Sequence, residues 1–228
     1  MVLAAVRASP GKADGDRESP ARSALASVRF RRLAPGMSTA LAVRLAFWLW
    51  FIAAIFAGQR LALQHLPPPA TPAILLGLTA LLLIGYFRLA PLRAWVDSLD
   101  LRALVLLHVI RFVGVYFLLL YRRGELPYGF AVPGGIGDIA VATFALVLVF
   151  APLAEPQRLR ATSIWNVAGL VDILLVVATA IRLTLAGPSQ MQALSRLPLS
   201  LLPTFLVPLI IATHIVIFAR LARARSAA

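Results

Sequence analysis

Six long apolar runs restrict what this chain can fold into more than any other feature. An α-helix rises about 1.5 Å per residue, so roughly 20 apolar residues cross a hydrocarbon core of about 30 Å. Each run is close to that length, and 61% of the 228 residues are hydrophobic, which is too much for one soluble core. The pattern predicts an all-α polytopic membrane protein, a bundle of six transmembrane helices. The runs cover residues 40–57, 72–89, 101–121, 136–153, 164–185 and 199–219.

The composition removes several classes of function. The chain contains no cysteine, which excludes disulfides, thiolate nucleophiles, iron–sulfur clusters and cysteine-ligated zinc. A net charge of +13 would suggest nucleic acid as the partner of a soluble protein. Here most arginines lie outside the runs or at their ends, where topology signals and anionic lipid headgroups explain them better. We therefore expect the lipid bilayer, and not nucleic acid, as the partner of this charge.

The polar ends of the chain frame a single membrane domain. Residues 1–37 are mostly small and polar and hold too few apolar side chains to form a core, so they predict a disordered basic cytoplasmic tail. Residues 38–221 form the predicted six-helix membrane domain. Residues 222–228 are predicted to be a short basic cytoplasmic tail.

The distribution of positive charge predicts the orientation of the bundle. If the N-terminus is cytoplasmic, fourteen of the 22 arginine and lysine residues lie on the cytoplasmic side and four on the other side. Without the N-terminal tail the split is still seven to four. Because cytoplasmic loops carry the excess of Lys and Arg, the bundle is predicted to have both termini inside, N-in and C-in.

Four ionisable residues fall well inside the apolar runs, where each costs on the order of 2.5–3.5 kcal/mol on insertion scales. They are His108 and Arg111 on the third run, Asp172 on the fifth and His214 on the sixth. Helical rise places them about 10, 15, 12 and 8 Å from the predicted inner surface, respectively. All four are therefore expected in the cytoplasmic half of the bundle, at similar depths.

Arg111 and Asp172 are predicted to form an ion pair, because each would otherwise be an unpaired charge in hydrocarbon. On the fifth run, Asn166, Gly169 and Asp172 make a small and polar stripe at helical spacing, which permits close approach of a neighbouring helix. Two interpretations stay open for these residues. They either hold the helices together or, with His108 and His214, form a site, which we expect to line a cavity open to the cytoplasm.

The segment 124–138 is predicted to be an outer loop that lies in the interface or folds over the bundle mouth. Gly135 and Gly137 before a helix start could cradle an anion on free N–H groups. Asp138 argues against an anion, because a carboxylate at a helix N-terminus already serves the dipole and the free donors. We favour a helix cap as the role of Asp138.

Three spaced patterns in this part of the chain resemble a family of uncharacterised bacterial multi-pass membrane proteins. No activity comes with this resemblance. It implies a bacterial inner-membrane protein and nothing about mechanism. The patterns are Arg111-x-x-Gly114-x-x-Phe117, Gly124-x-Leu126-Pro127 and Phe130-Ala131-x-Pro133-x-Gly135-x-Gly137-Asp138.

Three functions remain open at this stage. The favoured one is a membrane scaffold or accessory subunit that binds a membrane-protein partner or a second copy of the chain. The alternative is a small-solute, ion or proton carrier that uses His108, Arg111, Asp172 and His214. The third is a b-type haem protein with His108 and His214 as axial ligands, and no other cofactor or metal is expected. No catalytic motif indicates an enzyme.

Overall fold

The structure, a computed structural model, describes residues 38–226, with side chains as far as Ala224. This part of the chain is helical and contains no β-strand. The predicted tail 1–37 lies outside it. We number the α-helices α1–α7, where α4 includes a central 3₁₀ segment, Leu107–Phe112, and a π-helical segment, Leu202–Leu206, leads into α7. The helices are α1 (Thr39–Gln59), α2 (Ala70–Arg88), α3 (Ala90–Asp97), α4 (Leu101–Arg122), α5 (Tyr128–Phe150), α6 (Glu155–Ala186) and α7 (Val207–Ser226).

Six of these helices are long and apolar enough to cross a bilayer, and only α3 is too short. The prediction of an all-α bundle of six spans is confirmed for the described residues. α7 continues to Ser226 and so includes much of the segment predicted as a C-terminal tail.

The helices run alternately between two ends of the bundle. The C-terminal end is marked by Arg223, which donates a hydrogen bond of 2.8 Å to Asp97 at the end of α3. The opposite end holds the turn between α4 and α5, where Gly124 takes a φ of +74°, a left-handed conformation that glycine adopts without strain. Pro67 to Pro69 and Pro188 interrupt the chain at the same end, between the spans.

Burial separates the central helices from the peripheral ones. Of the apolar 18-residue stretch in the span that includes α7, 67% is buried inside the protein. In α1 only 6% of the corresponding stretch is buried. Exposed side chains of α1, such as Trp48 and Leu49, face the surroundings of the bundle, as lipid-facing residues of a membrane protein do. α7 therefore packs in the centre of the bundle and α1 at its edge.

Glycines bring α4, α5 and α6 into close contact. A Cβ added to Gly135 on α5 would lie 2.8 Å from the carbonyl oxygen of Gly114 on α4, so these backbones touch. A Cβ on Gly137 would collide with Oδ1 of Asp172 on α6. Small residues at helix crossings allow this approach in membranes, where packing rather than hydrophobic transfer drives association.

The prediction of an outer loop over 124–138 is wrong for most of its length. α5 begins at Tyr128 and contains Pro133, Gly135, Gly137 and Asp138 in its interior. The physical reason is that a segment with few charges inside a bundle must satisfy its own backbone hydrogen bonds, and a helix does so. Asp138 is therefore not a helix cap, because it is the eleventh residue of α5.

Candidate functional site

Arg111 is the centre of a buried polar cluster that joins α4, α5 and α6. Its side chain is fully buried. Nε donates to Oδ1 of Asp138 at 2.6 Å, and Nη1 donates to the carbonyl oxygen of Gly169 at 2.9 Å. Nη2 donates to Oδ2 of Asp172. The predicted pair of Arg111 and Asp172 is thus confirmed, and Asp138 is a second carboxylate, for which the sequence had predicted another role.

We call Arg111, Asp138 and Asp172 the carboxylate cluster. Asp138 is 3% exposed, whereas the side chain of Asp172 keeps 24% of its surface accessible beside Gly137. One guanidinium carries one positive charge, and two ionised carboxylates carry two negative charges. With both carboxylates ionised, the cluster would hold one negative charge in excess at the depth of the membrane.

The local backbone aligns the functional residues of α4. Leu107–Phe112 forms a 3₁₀ helix, in which side chains three residues apart lie one above the other. His108 and Arg111 have this spacing, so they stand in one row along the bundle axis. Short 3₁₀ stretches inside long helices are often found where a helix serves a function.

His108 and His214 are packed against each other, one helical turn from Arg111 towards the C-terminal end. Both residues have 0% exposure, and their ring centroids are 4.1 Å apart. Trp165 on α6 covers both rings, with centroids 5.0 Å from His108 and 5.5 Å from His214. The two histidines, expected at similar depth from the sequence, do meet inside the bundle.

Hydrogen bonds define which ring nitrogens of the histidine pair carry hydrogen. The amide nitrogen of Asn166 donates to the carbonyl oxygen of His214 at 3.0 Å, so the amide oxygen, 2.8 Å from Nδ1 of His214, accepts from that nitrogen. The Thr213 hydroxyl donates to a backbone carbonyl and therefore accepts from Nε2 of His108 at 3.2 Å. Nδ1 of His108 and Nε2 of His214 have no hydrogen-bond partner among the described residues.

The geometry of the histidine pair does not fit a haem. Two axial histidines hold the iron and its macrocycle between them. His108 and His214 instead lie in direct ring contact, with 4.1 Å between centroids, which leaves no space for a macrocycle. Within residues 38–226, no group of three or more acidic or histidine side chains is placed to hold a metal ion.

An apolar cavity of about 70 Å³ reaches the carboxylate cluster from the opposite end of the bundle. Arg111 and Asp138 form its floor, and aliphatic and aromatic side chains of α2, α4, α5, α6 and α7 form its walls. Thr71 and Thr184 line it close to that end. The sequence predicts a cavity that opens at the C-terminal end of the bundle and has both histidines in its wall. This prediction is wrong, because both rings are fully buried and covered by Trp165.

A second, polar cleft of about 290 Å³ lies at the C-terminal end, between α4, α5 and α6. Its inner wall includes Val105 and Thr162, and Asp100 and Glu155 also border it. Arg158 lies in its wall and is only 8% exposed, because its guanidinium donates to the carbonyl oxygens of Leu148, Ala151 and Leu153 at 2.8–3.2 Å.

The role of Arg158 is not visible in the hydropathy pattern, which places this residue in a loop. The apolar run begins at residue 164, but α6 begins at Glu155, with a proline in its first turn and an acidic residue at its start. Both features are typical of helix N-termini and could have located this one.

The architecture is that of a multi-pass α-helical membrane protein with ionisable residues buried in its core. The model of the family described as Domain of unknown function (DUF8737) matches residues 68–222, and the chain belongs to this family. The match spans α2 to α6, most of α7 and every residue of the carboxylate cluster and the histidine pair. No curated protein and no solved structure matches the chain.

Proposed function

We propose that this protein is a membrane carrier in which the carboxylate cluster binds one proton. The observation that carries the proposal is the contact of a single guanidinium, Arg111, with two carboxylates inside the bundle. An uncompensated charge in a low-dielectric interior is costly, and one ion pair would suffice to fix helix packing. A proton on Asp138 or Asp172 makes the cluster neutral. Intramembrane carboxylates with this property occur in the proton relays of pumps and transporters.

The apolar cavity supports a carrier, because it connects the carboxylate cluster with one end of the bundle. Its walls are mostly apolar, and Arg111 and Asp138 are the charged residues that line it. A volume of about 70 Å³ is roughly that of two water molecules in the liquid. The cavity therefore has room for about two water molecules, which would bring a proton from that end of the bundle to the carboxylate cluster.

The proposed setting is a bacterial inner membrane, with both termini in the cytoplasm. The excess of arginine at the C-terminal end of the bundle supports this orientation, since Lys and Arg favour the cytoplasmic side. The same arginines and the basic N-terminal segment are suited to anionic lipid headgroups. In this orientation the apolar cavity opens to the outside and the polar cleft to the cytoplasm.

A scaffold or accessory subunit is the second candidate. The observation that favours it is that Arg111 ties three helices together through Asp138, Gly169 and Asp172, which is what structural polar contacts in membranes do. In that case the cluster would fix the packing of the bundle and would not exchange protons.

Proton flux into proteoliposomes separates the two candidates. A potassium gradient with valinomycin supplies the driving voltage, and an entrapped pH indicator reports proton entry. We expect flux above that of protein-free liposomes, and a loss of about 100-fold in Asp138→Asn and Asp172→Asn, since each removes a proton-accepting carboxylate. Glu125→Gln is the matched control, because Glu125 is exposed in the turn between α4 and α5 and lines neither the cavity nor the cleft. A wild-type protein without flux would support the scaffold and overturn the carrier.

A further inference from the structure

The polar cleft lies at the level where three spans begin or end. α4 begins at Leu101, α5 ends at Phe150 and α6 begins at Glu155, and the cleft lies between these ends. Charged side chains border it, and Val105, one helical turn further along α4, gives it an apolar wall towards the bundle core. The cleft therefore combines charged and apolar surface at the depth where the headgroups of a bilayer meet its hydrocarbon core.

Arg158 brings a positive charge to the cleft, and no carboxylate of the described residues pairs with it. Arg158 lines the cleft, is 8% exposed and takes part in none of the ion pairs. Its Nη atoms donate to backbone carbonyls, which carry only partial charges, and its Nε has no hydrogen-bond partner among residues 38–226. Glu155, one turn earlier on α6, is exposed and does not pair with it. Because a buried charge is costly without a counter-charge, an anion in the cleft would stabilise Arg158.

Two further groups supply hydrogen-bond donors beside Arg158. Thr162, one turn further along the same face of α6, lines the cleft and is 3% exposed, and its hydroxyl forms no hydrogen bond with the described residues. The first N–H groups of α6, a helix of 32 residues, have no side-chain cap, because the residue before them is Ala154. Helix N-termini bind phosphate oxygens, and the helix dipole adds positive potential. The surroundings of Arg158 are therefore those of an oxyanion site.

Carboxylates at the border of the cleft restrict which anion fits. Asp100 and Glu155 line it together with Arg102 and Arg158, so the four formal charges cancel. Both acids are exposed, and neither forms an ion pair within the part of the chain that the structure describes. These carboxylates would repel a multiply charged anion. A ligand that carries a cation beside its anion complements both signs of charge.

We propose that the polar cleft binds a phosphate ester with a primary ammonium group, the chemistry of a phosphoethanolamine lipid headgroup or of its soluble counterpart. The phosphate accepts from Thr162 and faces Arg158 and Arg102, and the ammonium donates to Asp100 and Glu155. A volume of about 290 Å³ is roughly that of ten water molecules in the liquid, enough for this group but not for the acyl chains of a lipid. The site is separate from the carboxylate cluster and does not depend on the proposed proton binding.

Lipid competition tests the proposal with the full-length protein. Native mass spectrometry is recorded with an equimolar mixture of phosphatidylethanolamine, phosphatidylcholine and phosphatidylglycerol that have the same acyl chains. Phosphatidylethanolamine should bind about tenfold more tightly than the other two lipids. The reason is that the trimethylammonium group of phosphatidylcholine has no N–H to donate to the carboxylates, and phosphatidylglycerol has no cation.

Two variants locate this preference in the cleft. Arg102→Gln should weaken the binding of phosphatidylethanolamine about tenfold, since a charge-assisted hydrogen bond is lost. Glu155→Gln should remove most of the preference for phosphatidylethanolamine over phosphatidylglycerol. Both side chains are exposed, so these substitutions leave the packing of the bundle intact. Arg160→Gln and Glu125→Gln change exposed residues that do not line the cleft, and these controls should bind like the wild type.

A calorimetric titration with glycerophosphoethanolamine separates the two sources of the ligand. Binding of this soluble ester, weakened in Arg102→Gln, would assign the cleft to soluble phosphate esters, whereas a lipid preference without such binding would assign it to the headgroup. Either result supports the proposal. Equal retention of the three lipids with no binding of the soluble ester would overturn it, and so would a lipid preference that both cleft variants retain. Inorganic phosphate that binds as tightly as glycerophosphoethanolamine would contradict the role of the two carboxylates.

Discussion

Nε of Arg111 donates a hydrogen bond of 2.6 Å to Oδ1 of Asp138, and this contact joins α4 to α5 inside the bundle. Asp138 lies 27 positions further along the chain and is as buried as the apolar residues around it. Together with the bond from Arg111 to Asp172, it places two acids on one base. We expect the stability of the bundle and the proposed activity both to depend on this contact of two carboxylates with one guanidinium.

The first prediction concerns the stability of the carboxylate cluster. Arg111→Met should lower the free energy of unfolding by about 3–5 kcal/mol, because it leaves Asp138 and Asp172 buried without a counter-charge. The triple variant Arg111→Met/Asp138→Val/Asp172→Val should recover most of this loss, since no charge remains, but should show no proton flux. Reversible unfolding in mixed detergent measures the first effect. A single variant as stable as the wild type would contradict the ion-pair geometry.

The second prediction concerns the contact between α5 and α6. Gly137→Ala should destabilise the protein by about 1–3 kcal/mol, as overpacking does, because the added Cβ collides with the carboxylate of Asp172. Gly129→Ala is the matched control on the same helix, since nothing lies within 4 Å of its added Cβ. There the better helix propensity of alanine should leave stability equal or slightly higher. Equal effects of the two substitutions on the unfolding midpoint would show that α5 and α6 are not in this contact.

The third prediction concerns the start of α6. Arg158→Gln should cost about 1–3 kcal/mol of stability, because carbonyl oxygens in the last turn of α5 and just after it lose their donors. Arg160→Gln, two residues further along α6, replaces an exposed arginine and should have little effect. The comparison of the two thermal unfolding midpoints checks this. If Arg160→Gln were the more harmful change, the buried position of Arg158 would be refuted.

The fourth prediction concerns orientation, and the absence of native cysteine makes it simple to test. Ser98→Cys, at the C-terminal end of the bundle, should react with a membrane-impermeant maleimide only after the cells are opened. Ser189→Cys, at the opposite end, should react in intact cells, because positive charge favours the cytoplasm for the C-terminal end. Both serines are exposed, so accessibility does not limit the reaction. The reverse labelling pattern would invert the proposed orientation.

The spans and one buried contact could be predicted from the sequence alone. Run length sets the number of helices, since each must cover the hydrocarbon core. The pair of Arg111 and Asp172 follows from the cost of leaving either charge unpaired at membrane depth. The contact between His108 and His214 was suggested by their similar depth. Depth does not tell which helices are neighbours, so only the structure establishes that the rings touch.

The role of Asp138 could not be predicted, because local composition and environment point in opposite directions. Glycines and Pro133 near Asp138 are typical of loops in water. Inside a bundle, neighbouring helices tolerate the same residues, and Gly135 and Gly137 serve close packing instead. The start of α6 was missed for a related reason. Hydropathy locates the membrane-buried part of a helix, and α6 extends nine residues before it, from Glu155.

The central claim, that the carboxylate cluster holds one proton, is tested most directly by infrared spectroscopy of the protein in liposomes. At neutral pH the wild type should show the C=O stretch of a protonated carboxyl group, and the band should disappear in the variant Asp138→Asn/Asp172→Asn. Asp100→Asn should leave the band unchanged, because Asp100 is exposed and caps α4. A wild-type spectrum in which every carboxyl group is ionised at neutral pH would contradict the account.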